Sequence, residues 1–209
     1  MEYYRFVLGP LETNCYVVWS GRAAGVIDPG GAVEPVLQFI AAHGLQPQWV
    51  LNTHGHFDHI AGNAALLQRY PVPLLIHAAD REMLLSPAHN LSAFMGQKAV
   101  SPAATRTLAE GEKLMLGETA LQVLATPGHT RGGISLYTPD LVFAGDTLFK
   151  ESIGRTDFPG GDYRQLKTAI REKLFCLPAA TLVLPGHGDP TTIGHERQCN
   201  PFLGAVDEV

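Results

Sequence analysis

The alternation of apolar and polar residues divides the chain into two β-rich halves, each followed by helical segments. In the first half, short apolar runs bounded by turn residues predict three strands, in "YYRFVLG", "NCYVVWS" and "AAGVIDPG". The Ser-Gly-Arg turn between the last two runs predicts a β-hairpin. Apolar residues at helical spacing in "AVEPVLQFIAAHG" then predict a helix that ends at Gly44.

The next strand, "QWVLNT", runs directly into the histidine-rich segment "NTHGHFDHIAG". Asp58 is the predicted N-cap of the helix that follows, in "HIAGNAALLQRY". A strand in "VPLLIH" and a short helix in "ADREMLL" come after it. Residues 86–110 show no firm periodicity, so the sequence assigns them no structure and no role.

The second half repeats the order of strands followed by helix. Strands are predicted in "KLMLG", "ETALQVLATPG", "GISLYTPD" and "LVFAGD", and a helix in "DYRQLKTAIREKLFCLP". The last predicted strand is "ATLVLPGHGD", before a short terminal helix in "TIGHERQCNPFL". Two such halves indicate a layered α/β fold with helices on the outer faces of the sheets. A length of 209 residues favours one domain, 1–209.

Charge and composition exclude several classes of function. The chain has 15 Lys+Arg against 20 Asp+Glu and no basic run, which disfavours nucleic acid as a partner. Three widely separated cysteines are typical of a reducing compartment. The segment "MEYYRFVLGP" lacks the features of a signal peptide, and no apolar run reaches the ~18 residues of a membrane span. We therefore expect a soluble cytoplasmic protein of undetermined oligomeric state, with no membrane partner.

Candidate metal ligands recur where predicted strands end. The set consists of His54, His56, Asp58, His59, His129, Asp146 and His187. A single histidine or aspartate after a strand is usually a turn residue, but packing does not require seven such donors at four strand ends. Imidazoles and carboxylates without thiolates suit zinc, ferrous iron or manganese. The sequence therefore predicts a metal centre in strand-end loops.

The spacing within the cluster predicts two ions rather than one. His54 and His56, two apart in an extended loop, can share one ion, whereas Asp58 and His59 begin the next turn and face another. Two divalent ions about 3.5–4 Å apart can share a carboxylate and lower the pKa of a bound water from about 15.7 toward 7. Asp146 is the bridging candidate. Asp58 and Asp146 are the candidate catalytic residues, because they would hold the metal-bound hydroxide.

The segment "HGHFDH", followed by His129, Asp146 and His187, resembles the H-x-H-x-D-H signature of the metallo-β-lactamase superfamily. The resemblance extends from "TNCYVV" to "GHERQCNPF" and implies a four-layer αβ/βα sandwich, two mixed β-sheets flanked by helices, with the metals at one edge. It also implies two zinc ions, with iron or manganese as alternatives. The implied ligands are His54, His56 and His129 for the first ion, Asp58, His59 and His187 for the second, and Asp146 for both.

Within the superfamily, "GRTDFPGGD" and "PGHGDPTTIGHERQCNPF" resemble the compact bacterial glyoxalase II-like hydrolases. This resemblance implies a small-molecule thioester such as S-lactoylglutathione as substrate, and no C-terminal helical substrate domain. Arg155 stands where glyoxalase II enzymes place a glutathione-contacting lysine, and is a candidate to bind a substrate carboxylate. Asp157 stands where they place a tyrosine, which disfavours an acidic tripeptide. Arg155 has a second interpretation, as a surface residue paired with Asp157.

Three other functions compete with the hydrolase: a dioxygenase, a non-catalytic metal-binding module and a nuclease. Persulfide dioxygenases share the fold and a "GRTDF" loop, and hold one ferrous ion, for which His54, His129 and Asp146 would serve. The complete second ligand set and the segment "TTIGHERQCNPF" favour the hydrolase. A non-catalytic metal-binding module is disfavoured because no ligand is missing, and a nuclease is disfavoured by the acidic balance of charges.

Overall fold

Two mixed β-sheets form the centre of the protein in the computed structural model, which describes residues 1–204. The first sheet has six strands in the order β1-β2-β3-β4-β5-β6. Their bounds are Glu2–Leu8, Thr13–Ser20, Ala23–Ile27, Gln46–Leu51, Leu74–His77 and Arg106–Leu108. The first three strands are antiparallel and include the predicted hairpin, whereas β3 to β6 are parallel.

The second half of the chain supplies the second sheet and a small hairpin. Strands β7 to β14 span Lys113–Leu116, Thr119–Ala125, Ile134–Tyr137, Leu141–Gly145, Leu148–Phe149, Ser152–Ile153, Leu182–Pro185 and Thr191–Thr192. The sheet has the order β14-β13-β10-β9-β8-β7, and β11 pairs with β12 alone. The prediction that "ATLVLPGHGD" is the last strand is wrong, because β14 turns back and pairs antiparallel with β13.

Helices cover the outer faces of both sheets. Helices α1 to α5 span Glu34–Ala42, Phe57–Ile60, Asn63–Arg69, Tyr163–Ala169 and Ile193–Cys199. Helix α4 continues through a π-helical turn, Ile170–Leu174, and the predicted helix in "ADREMLL" is a 3₁₀-helix, Ala78–Leu85. Within residues 1–204, no helix is long and apolar enough to cross a membrane.

Three apolar layers hold the four layers of secondary structure together. Strand β2 shows the principle, because Tyr16 and Val18 pack between the two sheets while Cys15 and Val17 face the helices. A strand covered on both faces has buried residues without interruption, and β2 is buried from Thr13 to Val18. A third layer packs α4 and α5 on the outer face of the second sheet. The predicted αβ/βα sandwich of two mixed sheets is thereby confirmed.

The helix predicted after the histidine-rich segment is broken in two, and Asp58 is not its N-cap. The residue before α2 is His56, which is extended, with φ −68° and ψ 149°. The carboxylate of Asp58 instead accepts a hydrogen bond from Thr13 Oγ1 at 3.1 Å. Between α2 and α3 the chain is held against Pro29, whose carbonyl accepts a hydrogen bond from Gly62 N at 2.7 Å. Tertiary contacts therefore override the local helix signal.

Residues 86–110, which the sequence left unassigned, form a wall beside the histidine-rich segment. They contain the 3₁₀-turn Ser92–Met95 and end at strand β6. Among the hydrogen bonds that hold this wall, Phe57 N donates to Asn90 O at 2.9 Å and Asn63 Nδ2 donates to Ser101 Oγ at 2.8 Å.

Candidate metal centre

Loops at the carboxyl ends of β4, β8, β10 and β13 bring the seven predicted ligands to one place. Backbone contacts between the sheets fix this edge, since Asn14 N at the start of β2 donates to Gly186 O after β13 at 2.7 Å. The donor atoms form three groups, within each of which all atoms lie within 4.8 Å of one another. The groups are His54, His56 and His129; His54, His59 and Asp146; and Asp58, His59 and His187.

At this centre histidine nitrogens face one another, and within residues 1–204 some buried polar atoms have no hydrogen bond. His56 Nδ1 lies 2.9 Å from His129 Nε2, and His59 Nε2 lies 3.3 Å from His187 Nε2, so ring nitrogens face each other in pairs. Among the described residues, His54 Nε2 and Asp146 Oδ1 are buried without a hydrogen bond. A buried polar atom without a partner costs about 1–3 kcal/mol. Cations bound among these atoms would satisfy them, so the donor set is suited to metal ions.

The opposite ring nitrogens of two histidines are fixed as proton donors. His129 Nδ1 donates to the carbonyl of Arg155 at 2.7 Å, and His187 Nδ1 donates to the carbonyl of Leu11 at 3.0 Å. Because a carbonyl oxygen only accepts, each Nδ1 carries a proton, so in the neutral ring the lone pair is on Nε2, which faces the centre. Histidine ligands of metals are usually held in this way.

Asp28, which the sequence analysis missed, orients two further histidines. Thr53 Oγ1 donates to Asp28 Oδ2 at 2.6 Å and lies 3.2 Å from His54 Nδ1, while Asp28 Oδ2 lies 3.0 Å from His59 Nδ1. Asp28 has φ +50°, a left-handed conformation that residues other than glycine adopt uncommonly, although aspartate does so more often than most. Its position directly after the apolar run of β3 is the same strand-end signal that identified the ligands.

Asp80 is a second missed residue, and it connects two of the ligand-bearing loops. Its buried carboxylate accepts from Gly55 N at 3.2 Å, from Thr130 Oγ1 at 2.7 Å and from Gly132 N at 2.7 Å. Gly55 lies between two predicted ligands, and Thr130 directly follows His129. Burial raises the pKa of Asp80, and these three hydrogen bonds oppose the shift. Asp80 therefore holds the loops after β4 and β8 at a fixed separation.

Replacing Asp80 with asparagine should destabilise the metal-free protein by about 2 kcal/mol, because an amide nitrogen would face a buried donor. Urea denaturation in the presence of a chelator measures this change in the free energy of unfolding. The matched control is Asp140→Asn, at an exposed position in the turn before β10. Equal stability of the two variants would show that Asp80 does not hold these loops.

Asp146 lies between the donor groups. Its Oδ1 is 3.4 Å from His59 Nε2, and its Oδ2 is 3.5 Å from His129 Nε2 and 3.6 Å from His187 Nε2. Burial would raise the pKa of Asp146, but the neighbouring histidines, His59 first, hold it well below its usual value. Burial and the nearby His129 lower the pKa of His56 to about 3. Burial opposes protonation of His59, but the neighbouring carboxylates, Asp146 first, raise the pKa of this ring well above its usual value. A divalent ion bound here would therefore displace a proton.

A cavity of about 420 Å³ opens onto the centre, and Arg155 lies in its wall. The Arg155 guanidinium makes a bidentate ion pair with Asp157, at 3.0 Å and 2.7 Å, and lies 4.2 Å from the ring centroid of Phe158. Both charged side chains are exposed, with 65% and 64% of their surface accessible. The structure therefore brings Arg155 to the cavity already paired with Asp157.

The fold and this donor set define the class of protein. The chain belongs to the metallo-beta-lactamase superfamily, whose family model matches residues 8–187. It is 38% identical over 206 residues to the probable metallo-hydrolase YqgX of Bacillus subtilis, covering 97% of this chain and 98% of that protein. It is 35% identical over 206 residues to the hydroxyacylglutathione hydrolase GloC of Haemophilus influenzae, covering 93% and 94%.

Solved structures show the same fold. The B3 metallo-beta-lactamase BLEG-1 is 38% identical, with a TM-score of 0.93 and coverage of 97% of this chain and 99% of that one. TTHA1623 in a di-iron-bound form is 38% identical, with a TM-score of 0.86 and coverage of 96% and 100%. ETHE1 from Myxococcus xanthus is 32% identical, with a TM-score of 0.82 and coverage of 96% and 84%.

Proposed function

We propose that the protein is a binuclear metallo-hydrolase that cleaves a small-molecule thioester, the bond that S-lactoylglutathione contains. The observation that carries the proposal is the position of Asp146, whose two oxygens face histidines of both predicted ligand sets at 3.4–3.6 Å. A carboxylate in this position is suited to two ions that share it. The similarity to the hydroxyacylglutathione hydrolase GloC supports the thioester as the scissile group.

The seven predicted ligands would hold two divalent ions. His54, His56 and His129 would hold one divalent ion, and Asp58, His59 and His187 the other, with Asp146 shared. When bound, the ions would supply Lewis acidity and a water that ionises near neutral pH. Zinc is the expected metal, and the di-iron form of TTHA1623 supports iron as an alternative for the same donor types.

The ligand-bearing loops keep these donors in position without reacting themselves. Thr13 Oγ1 donates to Asp58 Oδ2 at 3.1 Å, and the same oxygen lies 3.2 Å from His187 Nε2, so this hydrogen bond holds the carboxylate against the centre. The backbone carbonyls at Leu11 and Arg155 accept hydrogen bonds from the outward nitrogens of His187 and His129, and the Asp28 carboxylate lies 3.0 Å from His59 Nδ1. A thiol of pKa about 8.5 leaves as a thiolate without a strong general acid, so a site built from metal ligands suffices for a thioester.

An oxidative reaction is the second candidate, because ETHE1 shares the fold at 32% identity. In a mononuclear iron dioxygenase, His54, His129 and Asp146 would hold the iron, and these three side chains line one small recess together. The hydrolase is favoured because Asp58, His59 and His187 also converge as a complete second set. A purely structural metal site is disfavoured by the cavity that reaches this centre.

Metal analysis combined with two assays tests the proposal. We expect about two ions per chain by elemental analysis, cleavage of S-lactoylglutathione or a related thioester, and no oxygen uptake with glutathione persulfide. Dialysis against a chelator should abolish hydrolysis, and zinc or iron should restore it. One iron per chain with oxygen uptake, and no thioester cleavage, would instead identify the dioxygenase.

A further inference from the structure

We propose that the substrate carries an uncharged, apolar group next to its thioester, and that this group lies against Phe94 and Met95. This inference rests on the proposed function and specifies the substrate class of that site. It follows from the lining of the cavity, from the way its wall is held, and from the charges around it.

Apart from the ligands and Arg155, the cavity that reaches the metal centre is lined by apolar residues. These residues are Leu11, Phe57, Leu91, Phe94, Met95, Phe149 and Phe158. A volume of about 420 Å³ is within the range of small-molecule sites. Apolar side chains contribute to binding by losing water-exposed surface to an apolar ligand, and they give no compensation for a buried charge.

Phe94 and Met95 are the most exposed part of this lining, with 74% and 57% of their surface accessible. They lie on the short turn that follows Leu91, a buried residue with φ +70°. An aromatic and a methionine side chain left in water beside a reactive centre form a surface that a ligand can cover.

The base of the turn is fixed although its tip is exposed. Asn90 Oδ1 accepts from Ser92 N at 3.0 Å, and Asn90 Nδ2 donates to Ala99 O at 2.9 Å, which closes the turn on itself. Asn90 O also accepts from Phe57 N at 2.9 Å, at the first residue of α2. The two apolar side chains are therefore held at a fixed distance from the ligand-bearing segment rather than on a free loop.

The charges of the cavity do not suit an acidic tripeptide such as glutathione. Among the described residues that line the cavity, Arg155 is the only lysine or arginine. Its guanidinium already makes two hydrogen bonds to Asp157, at 3.0 Å and 2.7 Å. The pair presents no net positive charge, so a carboxylate of the substrate would compete with Asp157 for the same nitrogens.

Four thioesters test the proposal: lactoyl-N-acetylcysteamine, hexanoyl-N-acetylcysteamine, S-lactoyl benzylthiol and S-lactoylglutathione. Each kcat/KM is divided by the rate of hydroxide-catalysed hydrolysis of the same compound. We expect the hexanoyl or the benzyl compound to exceed lactoyl-N-acetylcysteamine at least tenfold, and S-lactoylglutathione not to exceed it. A preference for the hexanoyl compound assigns the apolar group to the acyl side, and a preference for the benzyl compound assigns it to the thiol side.

Phe94→Ser should lower kcat/KM at least fivefold more for the preferred apolar thioester than for lactoyl-N-acetylcysteamine. Met115→Ser is the control, because Met115 is a comparably exposed apolar residue, at 54%, on the edge strand β7. A preference for S-lactoylglutathione, or an equal loss on all four compounds, would overturn the proposal.

Calorimetric binding of S-hexyl- and S-methyl-N-acetylcysteamine separates this proposal from the proposed reaction. We expect the hexyl compound to bind at least tenfold more tightly, and Phe94→Ser to remove most of the difference. Tight hexyl binding without cleavage of any thioester would support the apolar site and contradict the hydrolase. Cleavage with equal affinity for both compounds would retain the hydrolase and contradict the apolar site.

Discussion

Replacing Asp146 with asparagine should lower kcat for thioester hydrolysis on the order of 1000-fold, beyond the 10–100-fold typical of residues that only support a metal ligand. Asparagine keeps the shape of the side chain but removes its negative charge and one of two acceptors. Asp146 faces His59, His129 and His187, so both predicted metal sites lose the same ligand. Elemental analysis should show fewer than two ions per chain.

Asp140→Asn is the control for this experiment as well, since Asp140 lies in the exposed turn before the same strand, β10. Its activity and metal content should equal those of the unmodified protein. If Asp146→Asn retained two ions and full activity, the shared carboxylate would be excluded and the binuclear mechanism would lose its main support.

Replacing His187 with alanine should remove one ion per chain and lower hydrolysis at least about 100-fold. His187 Nε2 lies 3.2 Å from Asp58 Oδ2 and 3.3 Å from His59 Nε2, so it completes the second donor group. It contributes nothing to the group formed by His54, His56 and His129. We therefore expect the ion held by that first group to remain bound.

His43→Ala provides a matched loss of an imidazole at the exposed end of α1, where His43 stacks on Phe39. It should change neither metal content nor rate. Full hydrolytic activity of the His187→Ala protein would contradict the need for a second ion. Retained oxygen uptake with one bound iron in that variant would support the dioxygenase instead.

The strand-end signal identifies the seven ligands but not all of the residues that support them. Asp28 directly follows the buried strand β3 and carries the same signal, whereas Asp80 lies in the 3₁₀-helix Ala78–Leu85 after β5 and does not. They were missed because neither stands in a cluster of histidines. Their role depends on contacts with residues 25 positions or more away, such as Thr53 for Asp28 and Thr130 for Asp80. Local spacing carries no information on such contacts.

The substrate side of the site was the least predictable part. Residues 90–101 have no helical or strand period, because their conformation is set by hydrogen bonds of Asn90 and Ser101 to other elements. The sequence identified Arg155 and Asp157 as candidates, and the structure adds that they pair with each other. The sequence did not predict that the apolar side chains of Phe94 and Met95 line the same cavity, because it assigned no structure to the segment that carries them.

The sequence by itself determined the class of this protein. Periodicity of apolar residues predicted the two β-rich halves with their covering helices. A strand that is buried on both faces appears in the sequence as a short continuous run of apolar residues. The order and chemical type of the strand-end residues predicted the donor set. These patterns involve residues close together in the sequence, so each can be recognised without knowing which distant residues it contacts.

Only the tertiary structure decided which donors share a site and how closely they approach. Gly186 illustrates the reason, because a Cβ at this position would overlap Asp146 Oδ1, so the loop after β13 approaches β10 only with glycine there. Other long-range contacts act in the same way. They include the hydrogen bond of Asn14 to Gly186, the contacts by which Asp28 and Asp80 hold the ligand-bearing loops, and the wall that carries Phe94. Such contacts depend on the packing of two whole sheets, and no local pattern encodes that packing.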